Sequence, residues 1–128
     1  MQKINENKSK ATFIVVPRFN MATLVSLIEP MRVANYLSSS DLYSWEIASF
    51  EGSNILASNG MSVSAVLPLE KVKRQDLIFI VGSWGCEHYA RKELTAWVRK
   101  QYSLGARICS VELGCYILAR AGLLSGKK

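Results

Sequence analysis

The chain has 128 residues, enough for one domain with a hydrophobic core, and its 49% hydrophobic and 20% charged residues exclude wholesale disorder. No apolar run reaches the ~20 residues of a membrane span. Residues 1–10 are polar and lack the apolar centre of a signal peptide, and we expect them to be a disordered lead-in. We therefore expect a cytoplasmic protein without a membrane partner. The net charge is +6, and part of this excess comes from basic residues at the chain ends. Aromatic residues are not interleaved with the basic residues, which disfavours direct nucleic-acid binding by this segment.

The first half of the chain predicts a strand, a helix, a second strand and a hairpin. Residues 11–17 (ATFIVVP) are apolar and β-rich, as in a buried strand, and apolar residues then recur at helical spacing after Asn20, a suitable N-cap. Pro30 lies inside this helical pattern, where we expect a kink or a break. Residues 42–50 alternate as a half-buried strand does, and residues 58–60 (SNG) predict a hairpin turn.

The second half predicts alternating strands and helices. The strands are expected at residues 76–82 (DLIFIVG) and 106–111, and the helices at about 88–102 and from Glu112 to Gly122. A continuous apolar run such as DLIFIVG is typical of a central parallel strand that is covered on both faces. The alternation predicts an α/β fold with a mostly parallel sheet and no internal domain boundary.

In such a sheet, ligands bind at the carboxyl ends of the strands. Three segments are expected at this edge: the loop after the first strand with the helix that follows it, the loop after DLIFIVG, and a sharp strand-to-helix turn, or elbow. A turn of this kind lifts one side chain above the end of the sheet. The candidate ligand-binding residues of these segments are Phe19, Glu29, Ser83, Trp84, Glu112 and Leu113.

The cysteine and histidine content argues against a metal site. The three cysteines, Cys86, Cys109 and Cys115, are an odd number without metal-ligand spacing, and we expect Cys109 and Cys115 to be buried, reduced thiols in an apolar strand and an apolar helix. The single histidine, His88, is expected at the surface near the start of a helix. We therefore predict no metal and no cofactor.

Several motifs in order carry a family resemblance. They are PRFNM (residues 17–21), EPMRVAN (29–35), LYSWEIAS (42–49), ASNGMSV (57–63), DLIFIVG (76–82) and the elbow running into LARAGLLSG (118–126). With these motifs the chain resembles the glutamine-amidotransferase-like (ThiJ/PfpI) domain in the N-terminal half of GlxA-type AraC-family transcriptional regulators. The resemblance implies a flavodoxin-like three-layer sandwich, with residues 11–128 as a truncated domain whose C-terminal part is missing.

The resemblance also implies partners. Such regulators form dimers and sense a small-molecule effector, so we expect a homodimer that contacts DNA only through a helix-turn-helix domain absent from this chain. Whether the chain is a fragment or a truncated gene product stays open. If further strands and helices are missing, an isolated monomer should expose apolar surface and a sheet edge.

The elbow departs from the enzymes of this superfamily. Enzymatic relatives carry a cysteine in an ICTGA-type string, and the register set by LARAGLL aligns Gly114 with the glycine of that string and Glu112 with the cysteine. The resemblance therefore implies that the chain is not an enzyme. It also matches Glu29 to the acidic residue that faces the elbow side chain in the superfamily.

Trp84 and two carboxylates are the groups that hold an ammonium ion, by charge and by cation–π attraction, with Phe19 and Tyr89 as further walls. We therefore expect a pocket for a small cationic or zwitterionic metabolite, such as an amino acid or a betaine-like compound. Alternatives stay open: Glu112 as a structural charge at a helix N-terminus, Trp84 as a packing residue, a hydrolase- or hydratase-like enzyme, and a dimerisation module without a ligand.

Overall fold

The computed structural model describes residues 8–64, 66–73 and 76–127. Its strands are β1 (Ser9–Val15), β2 (Tyr43–Ser49), β3 (Ile55–Leu56), β4 (Ser62–Val63), β5 (Leu67–Pro68), β6 (Leu77–Gly82) and β7 (Arg107–Glu112). Five of them form a sheet in the order β5-β2-β1-β6-β7, in which every neighbouring pair is parallel. β3 and β4 form a separate antiparallel hairpin, which confirms the hairpin predicted from SNG.

The helices lie on both faces of the sheet. They are α1 (Met21–Ser38), α2 (Lys92–Ser103) and α3 (Cys115–Arg120), with short 3₁₀ turns at Leu69–Lys71 and Cys86–Tyr89. Successive residues of a strand point to opposite faces, so Phe13 and Val15 pack under α1 whereas Ile14 packs with α2 and α3. The prediction of an α/β fold with a mostly parallel sheet is confirmed.

Several element boundaries differ from the predictions, among them the starts of β1, α2 and α3. α3 begins at Cys115, because Glu112 is the last residue of β7. β1 begins at Ser9, inside the predicted lead-in, and residues 1–7 of that lead-in lie outside the described part of the chain. The helix predicted over 88–102 begins only at Lys92, because residues Cys86–Tyr89 form their own 3₁₀ turn, and His88 lies in that turn rather than in the helix.

The first helix is not broken at Pro30. α1 runs through this residue over 18 residues, contrary to the predicted break. The proline removes the hydrogen bond to the carbonyl of Ser26, but Ser26 and Pro30 are both exposed, so water can satisfy that carbonyl. The position of a proline on the solvent side of a helix thus lowers its cost.

The burial predicted for the cysteines fails in β7. Cys109 is exposed and Cys115 is half-buried, whereas Cys86 is fully buried. β7 pairs only with β6 among the described strands and ends the sheet, so its side chains are less covered than those of the central strands. Across residues 8–64, 66–73 and 76–127, no helix combines the length and the hydropathy that crossing a membrane requires.

Candidate functional site

The elbow lies at the carboxyl end of β7. Glu112 is the last residue of this strand and is in register with Gly82, the last residue of β6. Its φ angle of 51° places it in the left-handed region, which is unfavourable for a residue other than glycine. Such strained residues are frequent where a side chain must be held for a function.

Close contact with β6 fixes the path of the elbow. A Cβ atom on Gly114 would lie 2.4 Å from the carbonyl oxygen of Ile80, so only glycine fits at this position. On the neighbouring strand, a Cβ atom on Gly82 would lie 3.0 Å from Cβ of Cys86 and 3.1 Å from its Sγ. The two glycines therefore let the elbow, β6 and the loop after β6 approach one another closely.

The carboxylate of Glu112 links the end of β7 to the start of α1. Its Oε1 accepts hydrogen bonds from Nδ2 of Asn20 at 2.9 Å and from Oγ1 of Thr23 at 2.7 Å. Asn20 is also the N-cap of α1, as predicted, because its Oδ1 accepts from the backbone N–H of Ala22 at 3.0 Å. The Oε2 atom accepts no hydrogen bond from a described residue, and the side chain is exposed, so half of the carboxylate is available to a ligand.

The backbone after the elbow residue is already hydrogen-bonded. The N–H of Leu113 donates to the carbonyl of Gly82 at 3.2 Å, and the N–H of Gly114 donates to the carbonyl of Val111 at 3.0 Å. In hydrolases with a nucleophile at such an elbow, the N–H of the next residue helps to form the oxyanion hole. In this chain the corresponding group, Leu113 N–H, has a protein acceptor.

The loop after β6 reaches the same edge of the sheet. Ser83 is half-buried, and its carbonyl accepts a hydrogen bond from the N–H of Cys86 at 3.0 Å. Trp84 is 85% exposed, so both faces of its ring are open to solvent. The structure thus places Ser83, Trp84, Glu112 and Leu113 on the ends of two adjacent strands, and the Trp84 side chain is not packed into the core.

Two of the candidate residues have side chains that are buried or paired with another residue. Phe19 is fully buried in the core beneath α1, so its ring does not form the wall of an open pocket. Glu29 lies six residues, roughly 9 Å of helix, beyond Thr23 and pairs with Arg32, whose Nε donates to Oε2 at 2.9 Å. This hydrogen bond lowers the pKa of Glu29, whereas convergence with a second carboxylate would raise it.

Cys86 has a structural environment. Its Sγ donates to the carbonyl of Leu113 at 2.8 Å, directly behind the elbow. Burial, together with the negative charges of Glu87 and Cys115, raises the pKa of the Cys86 thiol to about 11. A thiol that stays protonated at neutral pH is a poor nucleophile. No group of His, Cys, Asp and Glu residues in the described part of the chain could hold a metal ion.

A cavity of about 290 Å³ lies at the carboxyl ends of β1 and β2, and it was not predicted from the sequence. We call it the β1–β2 cavity. Tyr89, expected as a wall beside Trp84, lines this cavity instead. Its lining residues belong to three segments that are far apart in the chain, and the third of these contributes Tyr89, Arg91 and Leu94. No local motif joins these segments, so only the order of the strands could have indicated the cavity.

The comparison with known families agrees with this architecture. The profile of the DJ-1/PfpI family matches residues 10–128. The chain belongs to the DJ-1/PfpI family. The match confirms the resemblance of the motifs to the ThiJ/PfpI domain.

Similar DJ-1/PfpI sequences occur in bacterial transcription regulators. The chain is 39% identical over 116 residues to the HTH-type transcriptional regulator CdhR of Pseudomonas aeruginosa, covering 91% of this chain and 34% of that protein. It is 26% identical over 124 residues to the HTH-type transcriptional regulator GlxA of Rhizobium meliloti, covering 96% of this chain and 38% of that protein. The chain thus spans about a third of the length of these relatives.

Solved structures support the DJ-1/PfpI fold. An AraC family transcriptional regulator from Pseudomonas putida superposes with a TM-score of 0.78 at 23% identity, covering 91% of this chain and 62% of that chain. A DJ-1 superfamily protein from Agrobacterium tumefaciens gives a TM-score of 0.69 at 15% identity, with coverages of 92% and 61%. The flavodoxin-like sandwich implied by the resemblance is confirmed, and the chain is shorter than these neighbours.

Proposed function

We propose that the chain is the ligand-sensing part of a transcription regulator that acts in the cytoplasm. In this proposal DNA is bound by a helix-turn-helix domain outside these 128 residues. The names of the regulators CdhR, GbdR and GlxA, which are similar over more than nine-tenths of the chain, support this role. The elbow residue carries the proposal, because Glu112 occupies the position where a DJ-1/PfpI enzyme would need its nucleophile.

The effector proposed for the elbow is a small cationic or zwitterionic metabolite. Glu112 offers a negative charge and a carboxylate oxygen, Oε2, that accepts no hydrogen bond from the described residues, and Trp84 offers an exposed aromatic ring on the adjacent loop. Carboxylates and tryptophan together attract ammonium and quaternary ammonium groups. Ser83 and Leu113 flank these two residues. The proposed site does not include Glu29, which pairs with Arg32, or Phe19, which is buried.

Several observations support a receptor rather than an enzyme. Leu113 N–H donates to Gly82, Cys86 has a raised pKa, and the other two cysteines lie three residues to either side of the elbow. A dimerisation module without a ligand should have Glu112 and Trp84 buried by packing. Both residues are exposed, which supports a ligand-binding site.

Calorimetric titration with glycine betaine and with amino acids tests the elbow. We expect Glu112→Gln, which keeps the shape but removes the charge, to weaken binding of an ammonium compound by ~10-fold or more. Trp84→Ala should also weaken it, because the cation–π contact is lost. Glu93→Gln removes an exposed carboxylate on α2 and serves as the charge-matched control. Equal affinity in wild type and Glu112→Gln would remove Glu112 from the site.

A homodimer is part of the proposed regulator, since symmetric pairing is the common arrangement of such proteins. Light scattering coupled to size-exclusion chromatography measures its mass directly. A monomer across the accessible concentration range, in the presence and absence of the effector, would contradict this part of the proposal.

A further inference from the structure

The β1–β2 cavity has an apolar floor that is separate from the elbow. Ile14, Ile55 and Leu94 line it and are each at most 8% exposed. Its volume of about 290 Å³ is close to the lower end of the ~300–1,000 Å³ that ligand pockets of proteins enclose. A cavity of this size and polarity suits a small molecule with an apolar body.

One wall of the cavity is a loop that packs closely against β5. The loop follows β2, and Gly52 has a φ angle of 74° with its N–H donating to Oγ of Ser49 at 2.9 Å. A Cβ atom on Gly52 would lie 2.5 Å from the backbone nitrogen of Pro68, so the loop is pressed against β5. Ser49 is buried and lines the cavity, and its hydroxyl proton has no acceptor among the described residues.

Two opposite charges line the same cavity without pairing. The guanidinium of Arg91 lies over the Phe50 ring, 5.2 Å from its centre, within the distance of a cation–π interaction. Glu51, on the loop after β2, is the acidic residue of the lining. The carboxylate of Glu51 and the guanidinium of Arg91 form no salt bridge within 4.0 Å with each other or with another described residue.

We propose that the β1–β2 cavity binds an α-amino acid with an apolar, branched side chain. The guanidinium of Arg91 receives the carboxylate, for which its planar donor fork is suited, and the hydroxyl of Ser49 supplies a further donor. Glu51 receives the ammonium group, and the apolar floor formed by Ile14, Ile55 and Leu94 packs against the side chain. This site shares no residue with the elbow and does not depend on the function proposed for Glu112.

Three probes with one apolar body separate the two charges. They are L-leucine, 4-methylpentanoate, which lacks the ammonium group, and 3-methylbutylamine, which lacks the carboxylate. In titration calorimetry of the complete 128-residue chain, we expect leucine to bind ~10-fold or more tightly than either analogue. No saturable leucine binding below ~10 mM, or equal affinity for all three probes, would overturn the proposal.

Variants of the neighbouring basic residues locate the site. Arg91→Met should weaken leucine binding ~10-fold or more, because a charge-assisted hydrogen bond to the carboxylate is lost. Lys92→Met removes the adjacent exposed charge, which does not line the cavity, and should leave leucine affinity within ~2-fold. Equal loss in both variants, or loss in neither, would overturn the assignment.

Glu51→Gln provides an independent readout. It should weaken leucine binding and leave the affinity for 4-methylpentanoate unchanged or improved, since that probe has no ammonium group to lose its partner. If Glu112→Gln rather than Arg91→Met abolishes leucine binding, the ligand belongs to the elbow, and the proposal for the β1–β2 cavity fails while the proposed function stands. Melting temperatures of all variants establish that they are folded.

Discussion

Glu112 keeps an unfavourable backbone conformation because its neighbours leave it no alternative. A left-handed φ costs a residue other than glycine on the order of 1–3 kcal/mol. The turn is closed by the contact of Gly114 with Ile80, and the side chain is held by Asn20 and Thr23. These contacts offset the strain and direct the carboxylate toward the start of α1.

The two glycines at the elbow should differ in their sensitivity to an added methyl group. Gly114→Ala should lower the free energy of unfolding by about 3 kcal/mol, because the obstacle is a backbone oxygen of the central strand β6. Gly82→Ala should cost less, since its nearest neighbour is the side chain of Cys86, which can shift. Urea denaturation measures both, and an unchanged stability of Gly114→Ala would contradict the close packing described above.

The buried thiol of Cys86 predicts a loss of stability at alkaline pH. Its pKa is raised from 9.0 to about 11, so the unfolded chain releases this proton first, and the contribution of the thiol falls between pH 9 and 11. Between pH 9 and 11 the free energy of unfolding should therefore fall by roughly 2–3 kcal/mol on account of this thiol. The difference in unfolding free energy between wild type and Cys86→Ala isolates this effect from other groups, and a difference that does not change with pH would contradict it.

At the scale of single elements, features that depend on neighbouring residues were predictable from the sequence, whereas features that depend on long-range contacts were not. Asn20 as N-cap of α1 was predictable, because a cap and its N–H partners lie within three residues. The start of α2 was missed because the turn Cys86–Tyr89 shares the composition of a helix start. β5 has only two residues and exists through its pairing with β2, so no periodicity could indicate it.

The double role of Asn20 can be separated by substitution. Asn20→Asp keeps an N-cap oxygen for α1 but replaces the Nδ2 donor by an oxygen facing Glu112, so we expect a loss of ~1 kcal/mol. Adding Glu112→Gln supplies a new donor and removes the repulsion, which should restore most of that loss. A double-mutant cycle by urea denaturation measures the coupling, and strict additivity would contradict the link between α1 and β7.

On the scale of the whole molecule, the order of elements was predictable from the sequence, whereas the burial of each strand was predictable only in part. The apolar run of β6 correctly indicated a central strand, since it lies between β1 and β7. The similar run of β7 suggested equal burial, but within the described part of the chain this strand pairs only with β6, and Cys109 is exposed. Of the candidate site, Glu112 and the Trp84 loop follow adjacent strands at one edge of the sheet, whereas the burial of Phe19 depends on packing with residues far away in the chain.

The exposed edge of the sheet predicts an oxidation product. Under mild oxidation we expect a disulfide-linked dimer through Cys109, because this thiol is exposed whereas that of Cys86 is buried. Electrophoresis without reducing agent measures the dimer. Cys109→Ser should abolish it and Cys86→Ser should not; a dimer that persists in Cys109→Ser would assign the reactive thiol elsewhere.

The contact of Gly114 with β6 makes position 112 suitable for attaching a fluorescent label. Since backbone atoms rather than the side chain of Glu112 set the course of the turn, another side chain at position 112 should project from the same place. A Glu112→Cys variant would present a thiol at the sheet edge without the free N–H of Leu113 that acyl transfer requires. A fluorescent dye attached there, in a background with Cys109 replaced by serine, would give an optical signal for a molecule entering the elbow.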